Sequence, residues 1–240
     1  VKAEDVHTGN YLDVIGQPAW SSDGSRIAFV CPLEGRSGLC VTDSDGSDAV
    51  HLRLGSAEQD RLPAWSRDGQ IAFARQFDNK DAAIYLTDPD EPEVRQLTEG
   101  YFDFNPTWAP DGEQIAFIRR INDEYDIYLM NEDGSSSRPL KRTAGAEGNV
   151  VWAPDGERLA YIIGEPEQDV YVTDLETLNR RNITQSSDPE GWPTWSPDGR
   201  RLAFMCGPGT GICVINADGT GRRQIVDGAT LNMQPAWQPT

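Results

Sequence analysis

Residues 193–205 read Pro193-Thr194-Trp195-Ser196-Pro197-Asp198-Gly199-Arg200-Arg201-Leu202-Ala203-Phe204-Met205, and the phrase returns along the whole chain. Its other copies are Pro18-Ala19-Trp20-Ser21-Ser22-Asp23-Gly24, Pro63-Ala64-Trp65-Ser66-Arg67-Asp68-Gly69, Pro106-Thr107-Trp108-Ala109-Pro110-Asp111-Gly112 and Val150-Val151-Trp152-Ala153-Pro154-Asp155-Gly156, with a truncated Pro235-Ala236-Trp237-Gln238-Pro239 at the end. Successive tryptophans stand 45, 43, 44, 43 and 42 residues apart. A fixed period of about 40 to 45 residues with strand-like content marks the blade of a propeller.

The repeat after Trp108 shows the strands most clearly. One strand ends at Thr107 to Ala109, Pro110-Asp111-Gly112 turns the chain, and Gln114 to Arg119 runs as a second strand. Asp-Gly between two short apolar runs is a strong hairpin signal. The polar loop Asn122-Asp123-Glu124-Tyr125 leads to a third strand over 126–130, and Glu132-Asp133-Gly134 turns into a fourth, outer strand over 137–140. Pro139 fits an edge, where no ladder donor is lost.

The phrase Trp-Ser-Pro-Asp-Gly followed by Leu-Ala-Phe, then Ile127-Tyr128-Leu129-Met130-Asn131-Glu132-Asp133-Gly134 and an arginine-bearing outer strand, resembles the WD-like repeats of the TolB propeller family. The resemblance covers residues 15–237 and implies an all-β fold, a β-propeller of four-stranded antiparallel blades. It is specific for fold and not for function, because such propellers serve as binding platforms, as sensor domains and as accessory domains of peptidases. Full repeats start at Trp20, Trp65, Trp108, Trp152 and Trp195, and the start at Trp237 has no continuation. We read residues 1–240 as a single propeller domain of five blades; the alternative is a six-bladed ring whose incomplete blade is assembled from residues 1–17 and 229–240.

The 240 residues carry a formal charge of −18. Phosphate backbones and anionic membrane surfaces repel such a chain, so nucleic acid is not an expected partner and a cationic or metal-bridged one is. Part of the acidity is turn chemistry, since Asp23, Asp45, Asp68, Asp111, Asp133, Asp155, Asp198, Asp218 and Asp227 each precede a glycine. No apolar run reaches the length of about 18 residues that a membrane helix needs, so the chain is not expected to be membrane-embedded.

Aligning the repeats puts Cys31 and Cys206 at one position of the second strand, and Cys40 and Cys213 at one position of the third. The repeats between carry Arg75 with Tyr85, Arg119 with Tyr128 and Ile163 with Tyr171 there, so the pair changes together, as cross-strand neighbours do. Disulfides Cys31–Cys40 and Cys206–Cys213 are therefore expected; two buried thiol pairs are the alternative. Intervals of 9 and 7 residues are too long for a zinc knuckle, and no histidine is expected beside them. Two disulfides imply an extracytoplasmic compartment: periplasm, cell surface or secreted.

Catalytic groups are scarce. The two histidines, His7 in the tail and His51 on an outer strand, stand where no propeller binds substrate, and neither a Gly-x-Ser-x-Gly elbow nor a phosphate-cradling glycine loop occurs. The chain is not expected to be an enzyme. Five residues before each tryptophan stand Ile15, Asp60, Asp103, Glu147, Glu190 and Asn232, so four consecutive repeats place a carboxylate at the start of the innermost strand. Asp60, Asp103, Glu147 and Glu190 are thus candidate ligands of a hard cation, with Ca²⁺ the best match to oxygen donors; a ring of solvated carboxylates in a wide channel is the alternative. Tyr101, Phe102, Phe104 and Trp192, with Arg61, are candidate ligand-binding residues on the loops that feed the inner strands. Packing between blades is the other reading of the aromatic ones.

The expected function is a non-catalytic binding module that takes a protein, peptide or glycan on the channel-mouth face, with Ca²⁺ as the one cofactor considered. The accessory propeller of a peptidase or metal-dependent hydrolase is the enzyme-class alternative, and the extracellular sensor domain of a membrane receptor is the third.

Overall fold

The computed structural model of the protein describes residues 16–33, 36–55, 59–77, 81–140, 147–164, 168–207, 211–227 and 235–237. Among these residues there is no helix, hence none long and apolar enough to cross a membrane. The chain forms two compact units, Val1–Trp108 with Asp133–Ser135, and Ala109–Glu132 with Ser136–Thr240.

In the first unit, β1 (Gly16–Trp20), β2 (Arg26–Leu33), β3 (Arg36–Asp43) and β4 (Val50–Leu52) form one antiparallel sheet in chain order. The next repeat gives β5 (Gln59–Trp65), β6 (Ile71–Gln76), β7 (Ala82–Thr87) and β8 (Val94–Gln96), again paired in sequence. Strand β9 (Phe102–Trp108) ends the unit. The second unit holds β10 (Gln114–Ile121), β11 (Glu124–Asn131) and β12 (Arg138–Pro139), then the blade β13 (Glu147–Trp152), β14 (Arg158–Ile163), β15 (Asp169–Asp174) and β16 (Arg180–Asn182). Its last blade is β17 (Glu190–Trp195), β18 (Arg201–Cys206), β19 (Gly211–Asn216) and β20 (Arg223–Val226). These are the four-stranded antiparallel blades that the repeat predicts. The loop expected over 122–125 is tighter than the sequence implies: Ile121 pairs with Glu124, and Asn122 and Asp123 alone make the turn, at φ of 51° and 64°. Both central residues left-handed is the geometry that matches the twist of a hairpin.

The repeated Asp-Gly works as a turn. In Gly199, φ is +65° and in Gly69 it is +86°, a region that side chains with a Cβ avoid. The aspartate before it is consumed locally. Asp23 Oδ1 accepts from Ser21 Oγ at 2.6 Å and from the Ser25 amide at 3.0 Å, and these bonds, the Ser21 hydroxyl foremost, hold its carboxyl down at about 2. Asp198 repeats the arrangement with Ser196 Oγ at 2.6 Å and the Arg200 amide at 3.1 Å. Part of the net acidity is therefore turn-capping chemistry.

The tryptophans tie each repeat to the one before. Trp65 Nε1 donates to the Ala19 carbonyl at 3.0 Å, Trp108 Nε1 to Ala64 at 3.2 Å and Trp237 Nε1 to Thr194 at 3.1 Å. Each acceptor immediately precedes the tryptophan of the preceding repeat. The first residue of the preceding second strand lies over the indole in three cases: Arg26 over Trp65 at 5.2 Å, Arg158 over Trp195 at 4.7 Å and Arg201 over Trp237 at 5.2 Å. Trp237 thus docks on the last blade as Trp65 and Trp108 dock on their predecessors, and residues 235–237 occupy the start of a further repeat. Beneath the rings lie the clusters around Leu39, Ile71 and Phe73 in the first unit and around Val170, Leu202 and Phe204 in the second.

Candidate binding face and its internal ties

Every described inner strand that can be compared carries one extra residue. Arg61 pairs with Ala74 and Ala64 with Ala72; Gly148 with Ile162 and Val151 with Ala160; Gly191 with Met205 and Thr194 with Ala203. Three residues on one strand against two on the other is a β-bulge. The residue three before Trp65, Trp108, Trp152 and Trp195 lies in the left-handed region: Leu62 at φ 55°, Asn105 at 54°, Asn149 at 49° and Trp192 at 53°. Asparagine tolerates this backbone, whereas leucine and tryptophan carry a cost of about 1–2 kcal/mol each.

The bulge decides where the acidic residues go. Five residues from a buried tryptophan, plain alternation places a side chain on the opposite, open face. One inserted residue inverts that parity, so Asp60, Asp103, Glu147 and Glu190 turn inward and are buried, with Asp103 and Glu190 at 0% exposure. Asp60 meets Arg75, its direct cross-strand neighbour: Oδ1 accepts from Nε at 2.7 Å and Oδ2 from Nη2 at 3.0 Å. Glu147 Oε2 accepts the backbone N–H of Ile127 at 2.8 Å, reaching from β13 to the preceding repeat's β11. Glu190 has no such guanidinium opposite it, because the residue paired with it is Cys206, which is committed to a disulfide. It relies instead on Arg222 Nη1, 2.7 Å from Oε1. That ion pair lacks the alignment of a hydrogen bond, and both carboxylate oxygens are buried without one among the described residues. Three of the four expected metal ligands thus have partners inside the fold, Asp60 and Glu190 a guanidinium group each and Glu147 a backbone N–H. Ile15 and Asn232, the remaining members of the series, lie outside the described residues.

Burial pushes the Glu190 carboxyl above the usual carboxylate range, against the opposing pull of the Thr184 hydroxyl and Arg222. A carboxyl with a raised folded-state pKa favours folding while protonated, and the contribution disappears as pH rises through that value. Glu190→Gln is accordingly expected to gain stability relative to wild type near pH 7 and to lose that advantage below about pH 4. Urea midpoints of the two proteins across this range check it.

Both disulfides are present, Cys31–Cys40 and Cys206–Cys213. The same place in other blades is a stack of charge on aromatic ring: Arg75 lies 4.8 Å from the Tyr85 ring and Arg119 4.8 Å from that of Tyr128. One expectation about the cysteines is corrected. His51 does stand beside them, with Nδ1 3.1 Å from Cys40 Sγ and 3.4 Å from Cys31 Sγ. The reason is register: β4 pairs Cys40 with His51, a match hidden by the intervening loop. His7 lies outside the described residues.

The positions next to the buried acids are the open ones. Arg61 is exposed and donates to Gln59 Oε1. Phe102 and Phe104 are half-buried and meet edge to face, ring centres 5.5 Å apart, beside Tyr101, which is 43% exposed. These residues belong to the first unit. Trp192, half-buried in its left-handed bulge, belongs to the second. A feature unforeseen from sequence is an open groove of about 1020 Å³ in the second unit, lined by Arg158, Arg180, Arg181 and Arg200 among Asp198 and Asp218. Its charges largely serve neighbouring turns: Arg158 holds Asp155 at 2.9 Å and the Gly199 carbonyl at 2.9 Å, and Arg181 the Asp218 carbonyl at 3.3 Å. The arginines of the outer strands were the only trace of it in the sequence.

Antiparallel four-stranded blades, each anchored by a periodic tryptophan and bulged on its inner strand, define a β-propeller. The profile of the TolB beta propeller domain matches residues 7–154, and the chain belongs to that family. It is 30% identical over 115 residues to a Protein TolB homolog of Chlorobium luteolum, covering 48% of this chain and 26% of that protein. The chain spans about a quarter of the length of the curated TolB relatives it matches. Among solved structures, a putative TolB from Agrobacterium tumefaciens superposes with a TM-score of 0.77 at 19% identity, over 93% of this chain and 86% of that one. A puromycin-hydrolysing peptidase of Mycobacterium tuberculosis matches at a TM-score of 0.69 and 19% identity, over 92% of this chain and 39% of that one.

Proposed function

We propose that this propeller is an extracytoplasmic, non-catalytic binding module that takes a basic, partly apolar protein segment on the surface formed by Tyr101, Phe102 and Phe104. The observation that carries the reading is the edge-to-face Phe102–Phe104 pair beside the exposed Tyr101 ring, an aromatic surface on a loop fixed to a rigid sheet. The charge of −18 favours a cationic partner and raises its rate of encounter. In this reading Arg61 and Trp192 belong to the rim positions of their own blades, and the buried carboxylates hold repeats together without Ca²⁺. Two disulfides support a compartment that keeps thiols oxidised. A short basic peptide is the smallest form of such a ligand, whereas a glycan fits the same surface less fully, since it does not use the charge.

Selection from a displayed random peptide library tests this. Enrichment of lysine- or arginine-rich peptides with an apolar anchor is expected, and the affinity of a selected peptide is expected to fall at least about tenfold in the Tyr101→Ala/Phe104→Ala protein. Binders that ignore both substitutions, or no binders at all, would overturn the reading. The likeness to a peptidase's propeller favours a second reading, an accessory domain of a hydrolase; a parent chain that continues into a domain with a nucleophile and its base would establish it.

A further inference from the structure

We propose that the dithiol form of Cys31 and Cys40 constitutes, with His51, a three-ligand site for a divalent cation of the zinc class. The three side chains come from three adjacent strands, β2, β3 and β4, and their ligand atoms all lie within 4.8 Å of one another. Two sulfurs and one imidazole nitrogen are a donor set that zinc accepts at about 2.3 Å and about 2.0 Å, which places ligand atoms roughly 3.5–3.8 Å apart around a tetrahedral ion. His51 Nδ1 already stands 3.1 and 3.4 Å from the two sulfurs, so the sulfurs have to separate and the imidazole has only to draw back by a few tenths of an ångström. The cysteines are buried at 3% and 4% exposure, whereas His51 is exposed, which leaves a path for the ion and a fourth position for water.

The chain contains its own control. In the last blade Cys206 and Cys213 occupy the corresponding positions, but the outer-strand residue opposite Cys213 is Gln224. An amide there offers zinc a much poorer ligand than imidazole. Only one of the two cysteine pairs is therefore a metal site, and the histidine selects it. In the oxidised state the sulfurs carry no charge to give, and the site is closed. Reduction by a phosphine opens it: phosphorus takes oxygen from water, the S–S bond breaks, and the two sulfurs take the electron pair and two protons. Binding of the ion then releases both thiol protons and leaves two metal–thiolate bonds and one metal–imidazole bond.

Cobalt(II) is the probe, because thiolate ligation gives it a strong near-ultraviolet charge-transfer band and visible bands of tetrahedral form. The full chain, reduced with a phosphine, is expected to bind one equivalent, displaceable by Zn²⁺, and the oxidised chain none. Affinity is expected to drop at least about tenfold in His51→Gln, to vanish in Cys31→Ser/Cys40→Ser and to persist in Cys206→Ser/Cys213→Ser. If reduction unfolds the chain, recovery of its native tryptophan fluorescence on adding the metal supports the site, and failure to recover it contradicts the site. Binding that is equal in His51→Gln, that follows Cys206 and Cys213, or that is absent from the reduced protein overturns the proposal.

Discussion

Trp108→Ala is expected to lower stability by about 3–5 kcal/mol, the cost of emptying a buried aromatic site. The indole is 8% exposed and its N–H reaches the Ala64 carbonyl one repeat away, so the substitution removes both the packing and the tie between successive inner strands. Trp108→Phe keeps most of the volume and forfeits the hydrogen bond, for an expected loss of about 1–2 kcal/mol. Urea denaturation of the three proteins separates the two contributions. Equal losses in both variants would mean that the hydrogen bond, not the packing, holds the repeats. Trp195 is the counterexample: among the described residues its Nε1 has no acceptor, while Arg158 lies over its ring and the indole shares a buried cluster with Ala160 and Ile162 of the same strand. Its phenylalanine variant is accordingly the milder of the two.

Arg75→Met is expected to cost a similar amount, about 3–5 kcal/mol, for a different reason. Both members of the Arg75–Asp60 pair are 7% exposed, so removing the guanidinium leaves a carboxylate buried with its main counter-charge gone. Methionine retains much of the contact with the Phe73 and Tyr85 rings that the guanidinium covers, which confines the loss to electrostatics. The double replacement Arg75→Met/Asp60→Leu is expected to recover most of the stability, since a well-packed apolar pair often equals a buried ion pair. A double variant as unstable as the single one would show that the charge was not the cause. This prediction also bears on function: it treats the carboxylate as part of the core, not as a metal ligand.

The repeat phrase made the blades legible because a structural period stamps itself on packing residues. Trp65, Trp108 and Trp237 make the same contact, and each aligned Asp-Gly turns the same hairpin. The cysteine pairs were legible for the same reason, since Arg75 with Tyr85 and Arg119 with Tyr128 marked the cross-strand position they fill. What alignment could not reveal was parity. The bulge at Leu62, Asn105, Asn149 and Trp192 inserts one residue without a shared signature, since Gly148 and Gly191 precede it in two blades but Arg61 and Phe104 in the others, and it sends the carboxylates inward. His51 was hidden by a comparable ambiguity: β4 is only three residues long and follows an irregular loop, so its register against Cys40 could not be counted from the turn. Tyr101, Phe102 and Phe104 were visible as composition; that Tyr101 is exposed and the two phenylalanines half-buried became visible only in the fold.

The central claim is that the acids five residues before each tryptophan are internal ties, leaving the neighbouring open positions to bind. Calorimetric titration of the chelator-stripped, oxidised protein with Ca²⁺, alongside Asp103→Ala/Glu147→Ala, tests it most directly. No saturable stoichiometric binding in the wild type, together with a marked loss of stability in the variant, is the predicted result. One ion bound per chain and lost in the variant would contradict the account and return the carboxylates to a metal site.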